Sequence, residues 1–329
     1  MRRLGLSAVV VLGLAVAACS GGGSGGKGGD DAAGDGGGST TTTGPSTTTV
    51  PPVTAAQLCA DAELGDSPPA VAQPDLTEIS GVAASRQSPG VLWMHNDSGG
   101  DAEVFAVGVD GAPRGDYALD GADARDWEDI ALGPGPDEGV DDLYLADIGD
   151  NTSERSDVTV YRVAEPAVAA GDAGDQTLSG VESITLTYAD GARDAETLLS
   201  DPVTGDLFVV SKQWDRQPAG VYRIPAGTAD GASVTMERVA DAGVPLGELA
   251  TSGDISADGS LIAVRTYQSV LLWDRAPGQT VDQALAGEPC KAAATSELQG
   301  EAVALLPEGG AYVTVSEGQS PPINRFALP

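Results

Sequence analysis

The chain of 329 residues has one histidine, three cysteines, 17 basic residues against 49 acidic ones, and only 4% aromatic residues. One histidine leaves no Cys/His zinc set. It also argues against a serine triad: His95 lies two residues from Asp97, so strand alternation puts both on one face, away from Ser98 of Asp97-Ser98-Gly99-Gly100. No phosphate loop or dinucleotide fingerprint occurs. The shortage of basic charge, a formal net charge of −32, repels phosphate backbones and anionic headgroups. It argues against a nucleic-acid partner and favours cations, unless the acidity serves solubility alone. Trp93, Trp127, Trp214 and Trp273 are read first as packing residues, with sugar-stacking platforms as the alternative.

No apolar run reaches the roughly 18 residues a membrane span needs. The longest, Leu4 to Ala18, follows Arg2 and Arg3 and ends at Val16-Ala17-Ala18-Cys19. That pattern resembles the lipobox of bacterial lipoproteins, which implies a signal segment over residues 1–19, cleavage before Cys19 and a lipid on its sulfur. From 20 to 56 the composition is mostly Gly, Ser, Thr, Asp and Pro, too polar for a core. A flexible tether of that length holds the rest roughly 30 to 35 Å from the membrane. The expected location is the extracytoplasmic face of the cell membrane, lipid-anchored. In that oxidising compartment the two remaining cysteines, Cys59 and Cys290, are expected to pair.

Residues 57–329 are long enough for one large all-β domain and carry a phrase five times over. A short apolar strand opens at Ser80-Gly81-Val82, Glu128-Asp129-Ile130, Ala195-Glu196-Thr197, Gly253-Asp254-Ile255 or Gly300-Glu301-Ala302, and a second apolar strand with a polar exit follows. Aligning Gly81, Asp129, Glu196, Asp254 and Glu301 gives spacings of 48, 67, 58 and 47. Unequal repeats of several short strands predict a β-propeller, most simply five-bladed and closed by an N-terminal strand near Cys59, with six blades as the alternative. A Cys59–Cys290 bridge would staple the closure.

Antiparallel strands put every opening and every second-strand exit around one channel mouth. Strand alternation lets only one of Glu128 and Asp129 face the mouth, and the alignment of the repeats selects Asp129 as the partner of Glu196, Asp254 and Glu301. With Asp147 these form the expected ligand set for a divalent cation, calcium being the expected ion. His95, Asn96, Asp97, Asp150, Asn151 and Tyr267 are the expected ligand-binding residues. If the protein is an enzyme, Glu196 or Asp129 is the expected base, with Lys212 and Arg265 stabilising negative charge. The acids are otherwise hydrogen-bonding groups that hold the ring together.

Leu92-Trp93-Met94-His95-Asn96-Asp97-Ser98-Gly99, Asp126-Trp127-Glu128-Asp129-Ile130-Ala131 and Tyr144-Leu145-Ala146-Asp147-Ile148-Gly149-Asp150-Asn151 together resemble a family of uncharacterised secreted bacterial propellers. Tyr161-Arg162-Val163-Ala164-Glu165-Pro166 belongs to the same resemblance. More distantly the layout is similar to phytase-like and strictosidine-synthase-like propellers, which implies a site in the channel mouth but carries over no catalytic residue. The expected function is a monomeric, membrane-anchored propeller whose acidic mouth binds a cation and a polar or anionic ligand, a small molecule or a cell-envelope component. The alternatives are a metal-dependent phosphoester or ester hydrolase, an inverting glycosidase, and an interaction scaffold.

Overall fold

Runs of β-branched and apolar residues broken every few positions by Gly, Asp and Pro turns fold as short antiparallel strands. The computed structural model describes residues 52–329 apart from 170, 172, 173, 215 and 298. Cys19 and most of the tether lie outside the described residues. Helix α1 (Ala55–Asp61), closed by a capping box between Thr54 and Gln57, and strand β1 (Glu63–Leu64) lead into β2 (Ile79–Ala84), β3 (Val91–Asn96), β4 (Glu103–Gly108) and β5 (Pro113–Leu119). Next come β6 (Trp127–Pro134), β7 (Asp141–Asp147), β8 (Val158–Ala164), β9 (Asp175–Leu178) and β10 (Glu182–Tyr188). Strands β11 (Ala195–Ser200), β12 (Leu207–Ser211), β13 (Gly220–Ile224) and β14 (Ser233–Asp241) follow. The chain finishes with β15 (Ala250–Ile255), β16 (Leu261–Thr266), β17 (Val270–Asp274), helix α2 (Val281–Leu285), β18 (Cys290–Ala292), β19 (Gly300–Leu305), β20 (Ala311–Ser316) and β21 (Asn324–Ala327).

The protein is all-β and propeller-like. Strand β2 neighbours β6, β6 neighbours β11, β11 neighbours β15, β15 neighbours β19, and β19 returns to β2. Outward from these run the sheets β2-β3-β4-β5-β9, β15-β16-β17-β18 and β19-β20-β21-β1, and an eight-stranded sheet β11-β12-β13-β14-β10-β8-β7-β6. That sheet departs from repeats that stand apart: β10 pairs in parallel with β14, Thr185 opposite Ser233, and fuses two repeats at their outer edges. Strand β9 likewise leaves the second repeat to pair in parallel with β5 of the first.

The core consists of apolar wedges between successive strand groups. Trp93 and Val104 meet Leu143 and Leu145; Tyr144 and Val160 meet Leu198 and Val209; Val210 and Val221 meet Ile262 and Val264. Leu261 and Leu272 meet Val303 and Tyr312, with Leu58 of α1 added, and Val313 and Val315 meet Val82 and Leu92. The last wedge joins the end of the chain to its beginning.

The N-terminal segment strengthens this closure at two places. Strand β1 pairs with β21, Leu64 opposite Phe326, and Cys59 is disulfide-bonded to Cys290 with Cα atoms 6.2 Å apart. The bridge ties α1 to β18, the outer strand of the neighbouring sheet, so the segment straddles two sheets. The bond spans 231 residues, and a loop that long gives up much conformational freedom in the unfolded chain. Replacing both cysteines by serine is expected to lower stability by about 4 kcal/mol in denaturant unfolding. A change under about 1 kcal/mol would show that β1 and the core close the ring unaided.

Candidate functional site

Each inner pair carries the same irregularity where its first strand opens. The register slips between Ile79 and Gly81, Trp127 and Asp129, Ala195 and Thr197, Ala250 and Ser252, and Gly300 and Ala302. The bulged residues are therefore Ser80, Glu128, Glu196, Thr251 and Glu301. A bulge turns its extra residue out of the alternation. Ser80 donates to the Glu128 carbonyl at 2.8 Å and Thr251 to the Gly300 carbonyl at 2.9 Å, each tying its strand to the next repeat's bulge. The other three bulges present carboxyls to one mouth.

That mouth is a polar cavity of about 180 Å³ lined by Ser80, Asp97, Glu128, Glu196, Lys212, Tyr267 and Glu301, with Glu78, Asn151, Trp214, Gln299 and Glu317 toward the rim. Glu128, Glu196, Lys212 and Glu301 are buried. The Lys212 ammonium donates to Glu196 and, at 2.7 Å, to the Tyr267 hydroxyl. It also lies 4.8 Å from the Tyr267 ring centre and 5.2 Å from that of Trp214. Burial alone would lower its pKa, but Glu196 and Tyr267 hold it above the ordinary range.

One lysine serves several acids. Burial pushes Glu128 well up, with Glu196, Asp97 and Asp126 adding to the rise. Burial raises Glu196 as well, against the pull of Lys212. Burial lifts Glu301 to about 7, with Lys212 opposing and Glu317 and Asp97 reinforcing, and it lifts Asp97 to about 6 with the help of Asp126. On one side of the mouth Asp97, Asp126 and Glu128 offer ligand oxygens all within 4.8 Å of one another. Oδ1 of Asp97 is enclosed without a hydrogen-bond partner. Gly149 provides the room, since a Cβ there would stand 2.0 Å from Oε1 of Glu128 and 2.5 Å from Oδ2 of Asp126.

The expected metal set Asp129, Asp147, Glu196, Asp254 and Glu301 is not brought together. Asp129 follows its bulge and turns into the channel, where its carboxylate accepts from the Leu198 amide at 2.8 Å, the Gly253 amide at 3.0 Å, the Ser252 hydroxyl at 2.9 Å and its neighbour Ile130 at 3.0 Å. It is a fully buried tie between β6, β11 and β15, and it has no route to a ligand as a base. Asp254 sits further along its strand, accepts from the Leu305 and Ile255 amides, and lines a separate small cavity with Arg86 and Pro307. Asp147 is paired with Arg155 at 2.7 Å. Of the expected metal residues, only Glu196 and Glu301 line the mouth.

Arg265 is also displaced from its expected role. It is fully buried, ion-paired with Glu297 at 2.7 Å, and covered by Gly300, whose Cβ would stand 2.0 Å from the guanidinium. Of the expected ligand-binding residues, Asp97, Asn151 and Tyr267 line the cavity, as does the expected charge-stabilising Lys212. The others are structural. His95 is fully buried edge-on to Trp127, its Nδ1 at 2.8 Å from the Asn96 carbonyl, and burial lowers its pKa to about 4. Asn96 accepts from the Thr77 and Glu78 amides, and Asp150 from those of Glu154 and Arg155. The mouth residues missing from the sequence-based set are Glu78, Ile79, Ser80, Glu128, Trp214, Gln299 and Glu317, together with Asp126, which adjoins Asp97 and Glu128. Glu128 was legible: counted back from the apolar residues Ile130, Leu198 and Val303, it falls in the same place as Glu196 and Glu301.

No family model matches the chain, and no curated protein matches it. Among solved structures it is similar to a chain in the crystal structure of a nidogen/laminin complex, at 13% identity and a TM-score of 0.37, with 73% of each chain covered. At that distance the likeness bears on neither partner nor activity.

Proposed function

We propose that the chain is a five-bladed, lipid-anchored extracytoplasmic propeller whose mouth binds a divalent cation, calcium, between Asp97, Asp126 and Glu128, and beside it a polar ligand. The reading of five blades is supported by the five inner strands in ring contact and the five apolar wedges between them, with the fused sheet counted as two blades. The observation that carries the cation is the convergence of three carboxyl oxygens, one of them enclosed without a partner, at a point that Gly149 keeps open. Carboxylate oxygens are hard ligands suited to calcium or magnesium. A cation there would offset the burial that raises Asp97 and Glu128 and the carboxylate repulsion that adds to it.

Thermal unfolding with and without calcium tests this reading. At 100 times its Kd an ion bound only to the native state adds about 2.7 kcal/mol. That is a rise of roughly 5–10 °C for a domain of this size. The rise should be lost in D97N/E128Q, which removes charge while keeping size, and should persist in D129N. Binding must displace protons, so affinity should increase as pH rises through about 6, the value to which Asp97 is pushed. Equal calcium responses in wild type and D97N/E128Q would overturn the site.

A metal-dependent hydrolase is the second reading, favoured by Glu301. A carboxyl held at about 7 in the same cavity is poised to donate and accept protons near neutrality. Chelator-sensitive turnover of a phosphoester or ester panel, abolished by E301Q, is its expected signature.

A further inference from the structure

Three of the four tryptophans do what apolar strands require of them: Trp93, Trp127 and Trp273 are 0%, 1% and 3% exposed. Trp214 is 58% exposed and lines the mouth. It is not a loose surface side chain. Its indole N–H donates to Oδ2 of the buried Asp194 at 2.9 Å, and Asp194 in turn accepts the Asp150 amide at 3.0 Å. The ring plane is therefore set by a carboxylate that is itself fixed. The Lys212 ammonium, 5.2 Å from the ring centre, occupies one face and leaves the indole an open apolar surface beside a polar cavity.

We infer that the mouth takes a neutral polyhydroxylated ring, a sugar, stacked on Trp214 with its hydroxyls directed to the carboxyls and amides of Glu301, Glu317 and Gln299. The inference rests on the mouth being a ligand site but not on a metal being there. Two features select this chemistry. Mouth carboxylates far outnumber the one ammonium, which disfavours an anion and supplies strong acceptors for hydroxyl groups. An organic cation would suit the acids, but the ring already has Lys212 on one face, so its quadrupole is engaged and a second cation gains little from it. A ring with an apolar C–H face and a hydroxylated edge matches both the indole and the carboxyl rim. Exposed aromatic surface of this kind serves recognition when one side of the ligand is apolar and the other polar.

Trp214 is also the natural reporter, because acrylamide reaches an exposed indole and not three buried ones. The full-length chain is titrated with glucose, galactose, mannose and N-acetylglucosamine, and in parallel with cationic glucosamine, choline and anionic glucuronate, each with and without chelator. Acrylamide quenching and calorimetry are the readouts. At least one neutral sugar should shield Trp214 saturably. In calorimetry W214A should bind it about tenfold more weakly, the size of one aromatic contact, while W214F keeps most of the affinity. Both variants lose the indole N–H bond to Asp194 and should show a similar small drop in Tm, so their difference in sugar affinity reads the ring alone. Shielding by choline or glucosamine alone, or by glucuronate only when calcium is present, would overturn the inference, as would equal sugar binding by wild type and W214A. If no sugar binds while calcium still raises the Tm, the sugar fails and the cation site stands; sugar binding without a calcium response is the reverse.

Discussion

Replacing Lys212 by methionine is expected to cost about 3–5 kcal/mol of folding stability at pH 8, because it leaves buried carboxylates without their cation. The Lys212 ammonium pulls down Glu128, Glu196, Glu301 and Glu317 together. The loss should shrink as pH falls below about 6, when the acids can protonate instead of remaining charged. K212M/E196Q should recover part of it, since it removes the carboxylate that the lysine contacts directly. The wild type should show a weaker trend of the same sign. Glu301 is raised to about 7, and Asp97, Asp142 and Asp254 to about 6, so each binds its proton more tightly folded than unfolded. Stability carried by such groups is present below their unfolded pKa and is lost as pH rises through the folded value. The acids held low, Asp110, Asp201, Glu248 and Asp258, are ionised in both states above pH 5 and do not offset that slope. Chemical denaturation of wild type and K212M from pH 5 to 8 measures both effects. A loss in K212M that does not vary with pH would mean that lysine packing, not charge, is what matters.

Asp129→Ala is expected to be the most damaging single carboxylate substitution outside the mouth, at about 3 kcal/mol or more, since it strips acceptors from buried amides on two other strands. The Leu198 and Gly253 amides share Oδ2, while the Ser252 hydroxyl and the Ile130 amide share Oδ1. Burial raises the Asp129 pKa well above the usual value, and these four donors oppose that rise. Asparagine keeps one acceptor oxygen but must point its NH2 at donors, so D129N should also be destabilised, by about 2 kcal/mol. Denaturant unfolding of both variants, with calcium titrated into each, separates the two roles proposed for this residue. Low stability with an unchanged calcium response identifies a structural tie. Normal stability with a lost response would restore Asp129 to the metal site.

The misplacement of Asp129 shows how far pattern reading reaches. Alternation assumes that each residue advances the strand by one position, and under that assumption Glu128 and Asp129 face opposite ways, with the alignment of the repeats assigning Asp129 to the mouth. The bulge adds a residue without advancing the pairing, which exchanges the two roles. The same slip carries Asp254 past the mouth, because the bulged residue in its strand is Thr251. Glu196 and Glu301 were placed in the mouth because they occupy bulges themselves. Trp214 could not be distinguished from the other tryptophans, since its anchor Asp194 lies 20 residues earlier, just before β11, and meets it only through the β11–β12 pairing.

Local pattern and cysteine count were sufficient for the strand-rich class, the positions of the inner strand pairs, the closure by an N-terminal strand and the Cys59–Cys290 pair. Each rests on hydrophobic alternation, turn residues or cysteine parity, all properties of short stretches of chain. Only the tertiary structure decided which acids share a cavity, that Arg265 pairs with Glu297 beneath Gly300 and does not reach the mouth, and that two repeats fuse through a parallel β10–β14 pair. These outcomes turn on bulges, on close approaches at glycines, and on edges that meet across 48 residues, from Thr185 to Ser233. The free energy of such contacts belongs to pairs of distant residues, and no window along the chain contains both members.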